Sequence, residues 1–188
     1  MNSRHSKVTD WGLSHVTISP QDTILDVGCG GGRTISKLAT VASEGKVFGV
    51  DYSDVSVALA TKLNAHWIKT GRVEIREGSV SELPFQADTF DLVTAVETHF
   101  WWPDLPRGMR EILRVLKPGG VLVIVAEVYR GANTTAAKLV EKYHLKTGMK
   151  FLSPDEHRAL FVDVGFADVQ IVEQPEKGWI SGVGKKLV

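Results

Sequence analysis

The stretch Val27-Gly28-Cys29-Gly30-Gly31-Gly32-Arg33 decides how this chain is read. Four glycines among five residues give up side chains where the backbone must turn sharply or lie close to something. The stretch follows the β-branched run Thr23-Ile24-Leu25-Asp26 and precedes the helical pattern that starts at Thr34. A glycine-rich loop between a strand and a helix is a nucleotide-binding context. It is not a P-loop, because Gly32 is followed by Arg33-Thr34 rather than by Lys and a hydroxyl residue. Nor is it a dinucleotide fingerprint, Gly-x-Gly-x-x-Gly. Counted from Gly28 and Gly30, the third glycine position is Arg33. An NAD-dependent oxidoreductase is thereby disfavoured.

Outward from the loop, short β-branched runs alternate with longer helical patterns. Residues 23–27, 46–51, 73–78, 90–96 and 120–128 read as strands, several of them apolar on successive residues, as strands covered on both faces are. Helices are expected at 34–42, at 54–69 after a cap at Ser53 or Asp54, and at 153–164 behind the capping box Ser153-Pro154-Asp155-Glu156. Leu105, Met109, Ile112, Leu113 and Leu116 form one apolar helical stripe. Lys117-Pro118-Gly119-Gly120 is expected to stop that helix. Two closing strands are expected after Gly165, with a turn near Pro175. Such alternation specifies an α/β fold, a doubly wound, mostly parallel sheet with helices on both faces. Its ligands bind beyond the carboxyl ends of the strands, which directs attention to the residues after each strand. Asp51 ends the second strand about twenty residues past the loop, where a carboxylate accepts hydrogen bonds from ribose hydroxyls.

Composition narrows the function classes. At 188 residues, 43% apolar and 23% charged, the chain suits one globular domain, residues 1–188. Lys and Arg balance Asp and Glu, so the net charge is zero and a broad nucleic-acid or membrane footprint is not expected. Cys29 is the single cysteine, which excludes an intramolecular disulfide and points to a reducing, cytoplasmic setting. No apolar run approaches the length of a membrane span, and no cysteine metal cluster is expected.

The segments Ile24-Leu25-Asp26-Val27 through Arg33, Val47-Phe48-Gly49-Val50-Asp51-Tyr52-Ser53, Gly78 to Phe85, Phe90 to Thr98 and Arg110 to Ile124 together resemble the class I S-adenosylmethionine-dependent methyltransferases. The likeness is close over residues 20–130 and looser beyond. It implies a seven-stranded sheet whose last strand is antiparallel, with S-adenosylmethionine as cofactor. It places Asp26 and the loop of Gly28, Cys29, Gly30 and Gly32 beside the methionyl moiety. By the same resemblance Asp51 holds the ribose hydroxyls, and Tyr52, Ser79 and Val80 border the adenine. Ser79 stands where the family usually has Asp, and its hydroxyl can still accept a hydrogen bond.

Methyl transfer from a sulfonium needs alignment and exclusion of water, and needs a base only when the acceptor arrives protonated. The candidates follow the fourth strand: Glu97, which could orient the acceptor or face the cofactor's charge, and His99, which titrates near neutrality. Phe100, Trp101 and Trp102 could wall an apolar acceptor or anchor the next helix. Residues 1–20, with His5, Trp11 and His15, are expected to cover the site. Residues 130–151, bounded by Tyr129 and including Tyr143 and His144, are a possible acceptor lid. The expected function is methylation of a small molecule. The alternatives are a protein or RNA acceptor, and a non-catalytic cofactor-binding partner subunit; the oligomeric state is left open.

Overall fold

A computed structural model describes residues 6–188. In chain order the elements are α1 (Ser6–Leu13), β1 (Thr23–Val27), α2 (Arg33–Val41), β2 (Lys46–Asp51), α3 (Asp54–Leu63), α4 (Ala65–Lys69), β3 (Val73–Glu77) and β4 (Phe90–Val96). A single 3₁₀ turn (His99–Trp101) follows, then α5 (Leu105–Val115), β5 (Leu116–Ala126), α6 (Thr135–Thr147), α7 (Pro154–Val164), β6 (Ala167–Gln174) and β7 (Trp179–Lys185). The strands form one seven-stranded sheet in the order β3-β2-β1-β4-β5-β7-β6. Six strands point the same way, five of them paired in parallel, and β7 alone runs against them between β5 and β6. The expected architecture is therefore present. The strand order reverses between β1 and β4, so the loops after these strands part and leave a crevice at the carboxyl edge.

The apolar runs serve two faces because strand side chains alternate. In β5, Leu122 and Ile124 join Leu25, Met109, Ile112 and Phe161 in the layer packed against α5 and α7. Val123 and Val125 instead join Ile24, Ile35, Leu38 and Val8 in the layer against α1 and α2. A third, smaller cluster of Phe100, Tyr129, Ala137, Phe151 and Ile180 lies at the carboxyl edge. The capping box forms as expected. Glu156 N–H donates to Ser153 Oγ at 3.2 Å, and Ser153 N–H donates to a Glu156 carboxylate oxygen at 2.8 Å. Gly165, at φ 108°, closes α7.

Two departures from the sequence pattern are caused by contacts with residues distant in the chain. The helix expected over 54–69 divides into α3 and α4 at Asn64, which is fully buried. Its side-chain amide donates to Gly32 O at 3.0 Å and Ala60 O at 2.9 Å, a competition with the helical ladder that Asn is suited to. Lys117 to Gly120 does not separate helix from strand but lies inside β5. Leu116 pairs with Phe90 and Val121 with Leu92, so the chain loops out between them. Gly119, at φ 79°, makes this excursion possible, and its N–H donates to Lys186 O at 3.0 Å. Residues 1–20 and 130–151, expected as coverings, contain the helices α1 and α6.

Arg72 fastens the carboxyl end of α2. Its guanidinium donates to Gly45 O at 2.8 Å, Ser43 O at 2.6 Å and Ala39 O at 2.9 Å, and also to Ala42 O. These are carbonyls at and beyond the helix end, where partners are lacking and positive charge is favoured. Arg72→Ala should lower unfolding free energy by about 1.5–3 kcal/mol in urea titration, the range for hydrogen bonds to a charged group. Arg72→Lys should recover only part of this, because an ammonium cannot span the same carbonyls. Equal stability of all three proteins would remove the role assigned to Arg72.

Candidate active site

The glycine loop is stitched to the end of β2 through its backbone. Gly28 N–H and Cys29 N–H both donate to Val50 O, at 2.7 and 3.1 Å. Gly30 N–H donates to Asp51 Oδ2 at 2.8 Å, and Ser53 N–H to Asp51 Oδ1 at 3.0 Å. Each Asp51 oxygen has a second lone pair, and Asp51 lines a cavity. Gly28, Gly30 and Gly32 have φ of 67°, 51° and 78°, where side chains with a β-carbon are strained. A β-carbon on Gly28 would lie 2.0 Å from Thr98 Oγ1, and one on Gly32 would lie 2.5 Å from the Asn64 amide nitrogen. At Gly30 it would meet nothing within 4 Å. Gly28 and Gly32 thus let the protein pack against itself, while Gly30 keeps open space in front of the loop.

Two cavities adjoin this loop. One, of about 340 Å³, is bounded by Gly28 to Gly31, Arg33, Lys37, Val96, Glu97, Phe100 and Trp101, with Ser6 and Thr9 of α1 closing one side. The other, of about 320 Å³, is bounded by Asp51, Tyr52, Ser79, Val80, Trp102 and their neighbours. Gly28 and Trp101 belong to both. α1 is held over the first cavity by Lys37, whose ammonium donates to Ser6 O at 3.2 Å, Ser6 Oγ at 2.9 Å and the Asp10 carboxylate.

Glu97 adopts φ 57° at the end of β4 and stands on the wall of the first cavity. Its N–H donates to Val125 O at 2.9 Å, and its carboxylate accepts from Glu127 N–H, so both ends are held by the strand-end region of β5. A non-glycine residue in the left-handed region costs energy that surrounding contacts must offset. Cys29 lines the same cavity, and burial pushes its thiol well above the usual range, which makes it a packing residue rather than a nucleophile.

Asp26 lines neither cavity. It lies 2% exposed beneath the loop and accepts from Thr94 Oγ1 at 2.7 Å. Burial pushes its carboxyl up to about 7; the Thr94 hydrogen bond opposes the rise and the charge of Asp51 adds to it.

His99 is not positioned as the acceptor base that its place in the sequence suggests. It is 1% exposed and lines neither cavity. Its Nε2 lies 3.0 Å from Nε2 of His157, on α7, which the sequence reading did not single out. His157 Nδ1 lies 2.8 Å from Ser153 O. A carbonyl only accepts, so His157 carries its proton on Nδ1 and presents a lone pair at Nε2 to the Nε2–H of His99. His99 Nδ1 is then bare and without a partner among the described residues. Burial, and the neighbouring His157, hold His99 well below its usual range; burial also lowers His157. The pair joins the 3₁₀ turn to α7 in the neutral state.

The remaining expected residues separate by location. Tyr52 is 80% exposed at the rim of the second cavity, Val80 is buried in its wall, and Ser79 lies between them and accepts from Ser81 N–H. Trp102 lines that cavity rather than the one beside Glu97, and it packs against Gly108 of α5, as an anchor of the next helix would. Trp11 and His15 meet edge to face outside both cavities, at 4.9 Å between ring centroids. Tyr129 is buried in the edge cluster, where burial and Glu173 push its phenol up to about 12. Tyr143 is exposed and His144 rests on Phe151. His5 lies outside the described residues.

A doubly wound sheet with antiparallel β7, a Gly-x-Gly-x-Gly loop at the switch point and an acidic residue ending β2 define a class I S-adenosylmethionine-dependent methyltransferase. Residues 25–124, more than half of the chain, match the methyltransferase-domain family, and the chain belongs to that family. It is similar to a demethylmenaquinone methyltransferase of Symbiobacterium thermophilum, with 40% identity over 102 residues, 54% of this chain and 41% of the relative. It is also similar to the chloroplastic 2-methyl-6-phytyl-1,4-hydroquinone methyltransferase of Arabidopsis thaliana, with 30% identity over 171 residues, 91% of this chain and 46% of the relative. The chain thus spans less than half the length of these two relatives. A solved S-adenosylmethionine-dependent methyltransferase from Aquifex aeolicus shares the fold with a TM-score of 0.80 and 19% identity, covering 99% of this chain and 94% of that one. S-adenosylmethionine is accordingly the cofactor, and open space before Gly30 with a carboxylate beside it at Asp51 suits such a ligand.

Two outcomes follow from the glycines and Asp26. Gly30→Ala should fold with a modest loss of melting temperature yet bind S-adenosylhomocysteine at least tenfold more weakly, whereas Gly28→Ala should be the less stable because of Thr98. Normal binding by Gly30→Ala in a calorimetric titration would refute the close approach. Asp26 in the folded state titrates above its unfolded value, so the stability it contributes is present below about pH 4 and lost as pH rises through about 7. Asp26→Asn keeps an acceptor for Thr94. It should become progressively more stable than the parent between those limits and hold a constant advantage above them. A pH-independent difference between the two would contradict the assignment.

Proposed function

We propose that this enzyme methylates a small, largely apolar acceptor, a hydroxylated ring of quinol character, seated between Glu97, Phe100 and Trp101. The observation that supports it is Glu97, a carboxylate fixed in a left-handed backbone conformation on a cavity wall beside Val96, Phe100 and Trp101, with the glycine loop, Arg33, Lys37 and α1 on the cavity's other sides. The two relatives are named for a demethylated menaquinone and a phytyl hydroquinone, acceptors of this chemical type.

In this reading the backbone of Gly28, Cys29 and Gly30 receives the methionyl end of the cofactor, and Asp51 accepts from its ribose hydroxyls. Tyr52, Ser79 and Val80 border the adenine. The cofactor supplies a methyl group already activated on a sulfonium. The protein's work is then alignment, exclusion of water and acceptance of a hydroxyl proton. Trp101, common to both cavities, separates water from their junction and presents its ring to a cationic ligand. Glu97 orients the acceptor hydroxyl and takes up its proton as the methyl group is transferred, and Asp26 beneath the loop adds negative charge toward the sulfonium when ionised. His99 acts on neither ligand. The described part of the amino-terminal cover, α1, closes the acceptor side through Ser6 and Thr9. Residues 1–188 act as one domain, and a reducing cytoplasm suits a chain whose single cysteine is buried.

Two variants test the reading separately. Asp51→Ala should weaken S-adenosylhomocysteine binding roughly 10- to 150-fold, the equivalent of about 1.5–3 kcal/mol for a lost charge-assisted contact. Glu97→Gln should leave that affinity within a few-fold and lower the single-turnover rate on a quinol acceptor by about 10²–10⁴-fold. Undiminished turnover by Glu97→Gln would remove Glu97 from the chemistry, and undiminished affinity of Asp51→Ala would remove Asp51 from the ribose.

A further inference from the structure

α6 is attached to the domain by a narrow face. Ala137 is buried, Val140 and Met149 pack partly against the cluster of Phe100, Tyr129 and Phe151, and His144 rests on Phe151 with ring centroids 5.7 Å apart. The rest of the helix faces outward. At 100° per residue, Lys138, Lys142 and Lys146 form one outward row, with Leu145 on one flank and Leu139 and Tyr143 on the other. Leu139 is 58% exposed, Tyr143 41% and Leu145 86%. Glu141, the one acidic residue in the helix, lies beyond Leu145, toward the packed side. None of the three lysines is paired with a carboxylate among the described residues. Lys142 and Lys146 lie 5.3 and 6.0 Å from the Tyr143 ring. The whole chain is neutral, so this basic row is a local feature and not the share of a basic protein.

We propose that the outer face of α6 docks on the surface of an anionic lipid bilayer. The lysines meet the headgroup phosphates, while Leu139, Tyr143 and Leu145 enter the boundary with the acyl chains. Charge complementarity selects an anionic surface. The leucines select a bilayer over a nucleic acid, because apolar side chains set among lysines gain only where hydrocarbon receives them. Neither signal suffices alone, and the helix carries both. The placement is also purposeful. Just beyond α6, Lys150 N–H donates to Phe100 O at 2.8 Å, and Phe100 walls the cavity beside Glu97. Docking by α6 sets that cavity close to the bilayer, where an apolar acceptor is concentrated. The docking surface is argued independently of the acceptor, and vesicles without acceptor test it by itself.

The test is co-sedimentation with vesicles of phosphatidylcholine alone or with about one third phosphatidylglycerol. The protein should bind the anionic vesicles, and less so as salt rises. A Lys138→Glu, Lys142→Glu, Lys146→Glu variant should lose about 100-fold in partitioning or more, at roughly fivefold for each lysine near the surface. Leu139→Ser with Leu145→Ser should lose about tenfold through the apolar area no longer buried. Melting temperature and S-adenosylhomocysteine affinity, unchanged in both variants, show that the fold and cofactor site persist. Absence of binding by the parent protein, or equal binding by all three, would overturn the proposal. So would loss in the lysine variant with none in the leucine variant, together with retention of a labelled RNA by the parent, which would make the row a nucleic-acid surface.

Discussion

The site depends on the backbone seam between the glycine loop and the end of β2. Val50 O receives the N–H groups of Gly28 and Cys29, and the Asp51 carboxylate receives those of Gly30 and Ser53. Without that seam the loop would have no fixed register against the neighbouring strand, and the two cavities that share Gly28 would lose their common wall. Asp51 therefore has a structural duty in the seam, and in the proposed function the same carboxylate also receives the ribose. It shapes the loop with one set of lone pairs and faces the second cavity with the others. Thr98 and Asn64 brace the loop from its two ends, since each occupies the space that a side chain on Gly28 or Gly32 would need.

Carboxylates follow the crevice from end to end. Asp26 lies under the loop, Asp51 at the end of β2 and Glu97 at the end of β4. A ligand with a positive sulfonium and ammonium is matched to such a line, and a dinucleotide pyrophosphate is not. Burial pushes the Asp26 carboxyl up to about 7, against the opposing hydrogen bond from Thr94. The two buried histidines, which line neither cavity, are held neutral by burial. Their joint contribution to stability is lost as pH falls below about 6.5, because the unfolded chain then takes up protons that the folded pair resists.

Much of the fold is legible because its signals are local. The alternating apolar runs of β1, β2, β4 and β5, the capping box at Ser153 and the Gly165 terminator each depend on a few adjacent residues. The division of the helix at Asn64 is not legible, because its cause is a hydrogen bond to Gly32, 32 residues away. The excursion within β5 is hidden for a similar reason: Pro118 and Gly119 look like a terminator until Lys186 pairs across them. Asp51 and Glu97 line the cavities, and their places at the ends of strands mark them in the sequence. His99 shared that signal, yet its ring turns to His157, 58 residues on. No spacing rule marks His157, and only packing of α7 reveals it.

In the proposed function the seam of Gly28, Gly30 and Asp51 orders one ligand across both cavities. The most direct measurement is a crystal structure with S-adenosylhomocysteine bound. The account predicts ribose hydroxyls on Asp51, adenine between Tyr52 and Val80, and the thioether sulfur turned toward the cavity of Glu97, Phe100 and Trp101. A product bound elsewhere, or one whose adenosine fills the Glu97 cavity and leaves Asp51 untouched, would contradict it.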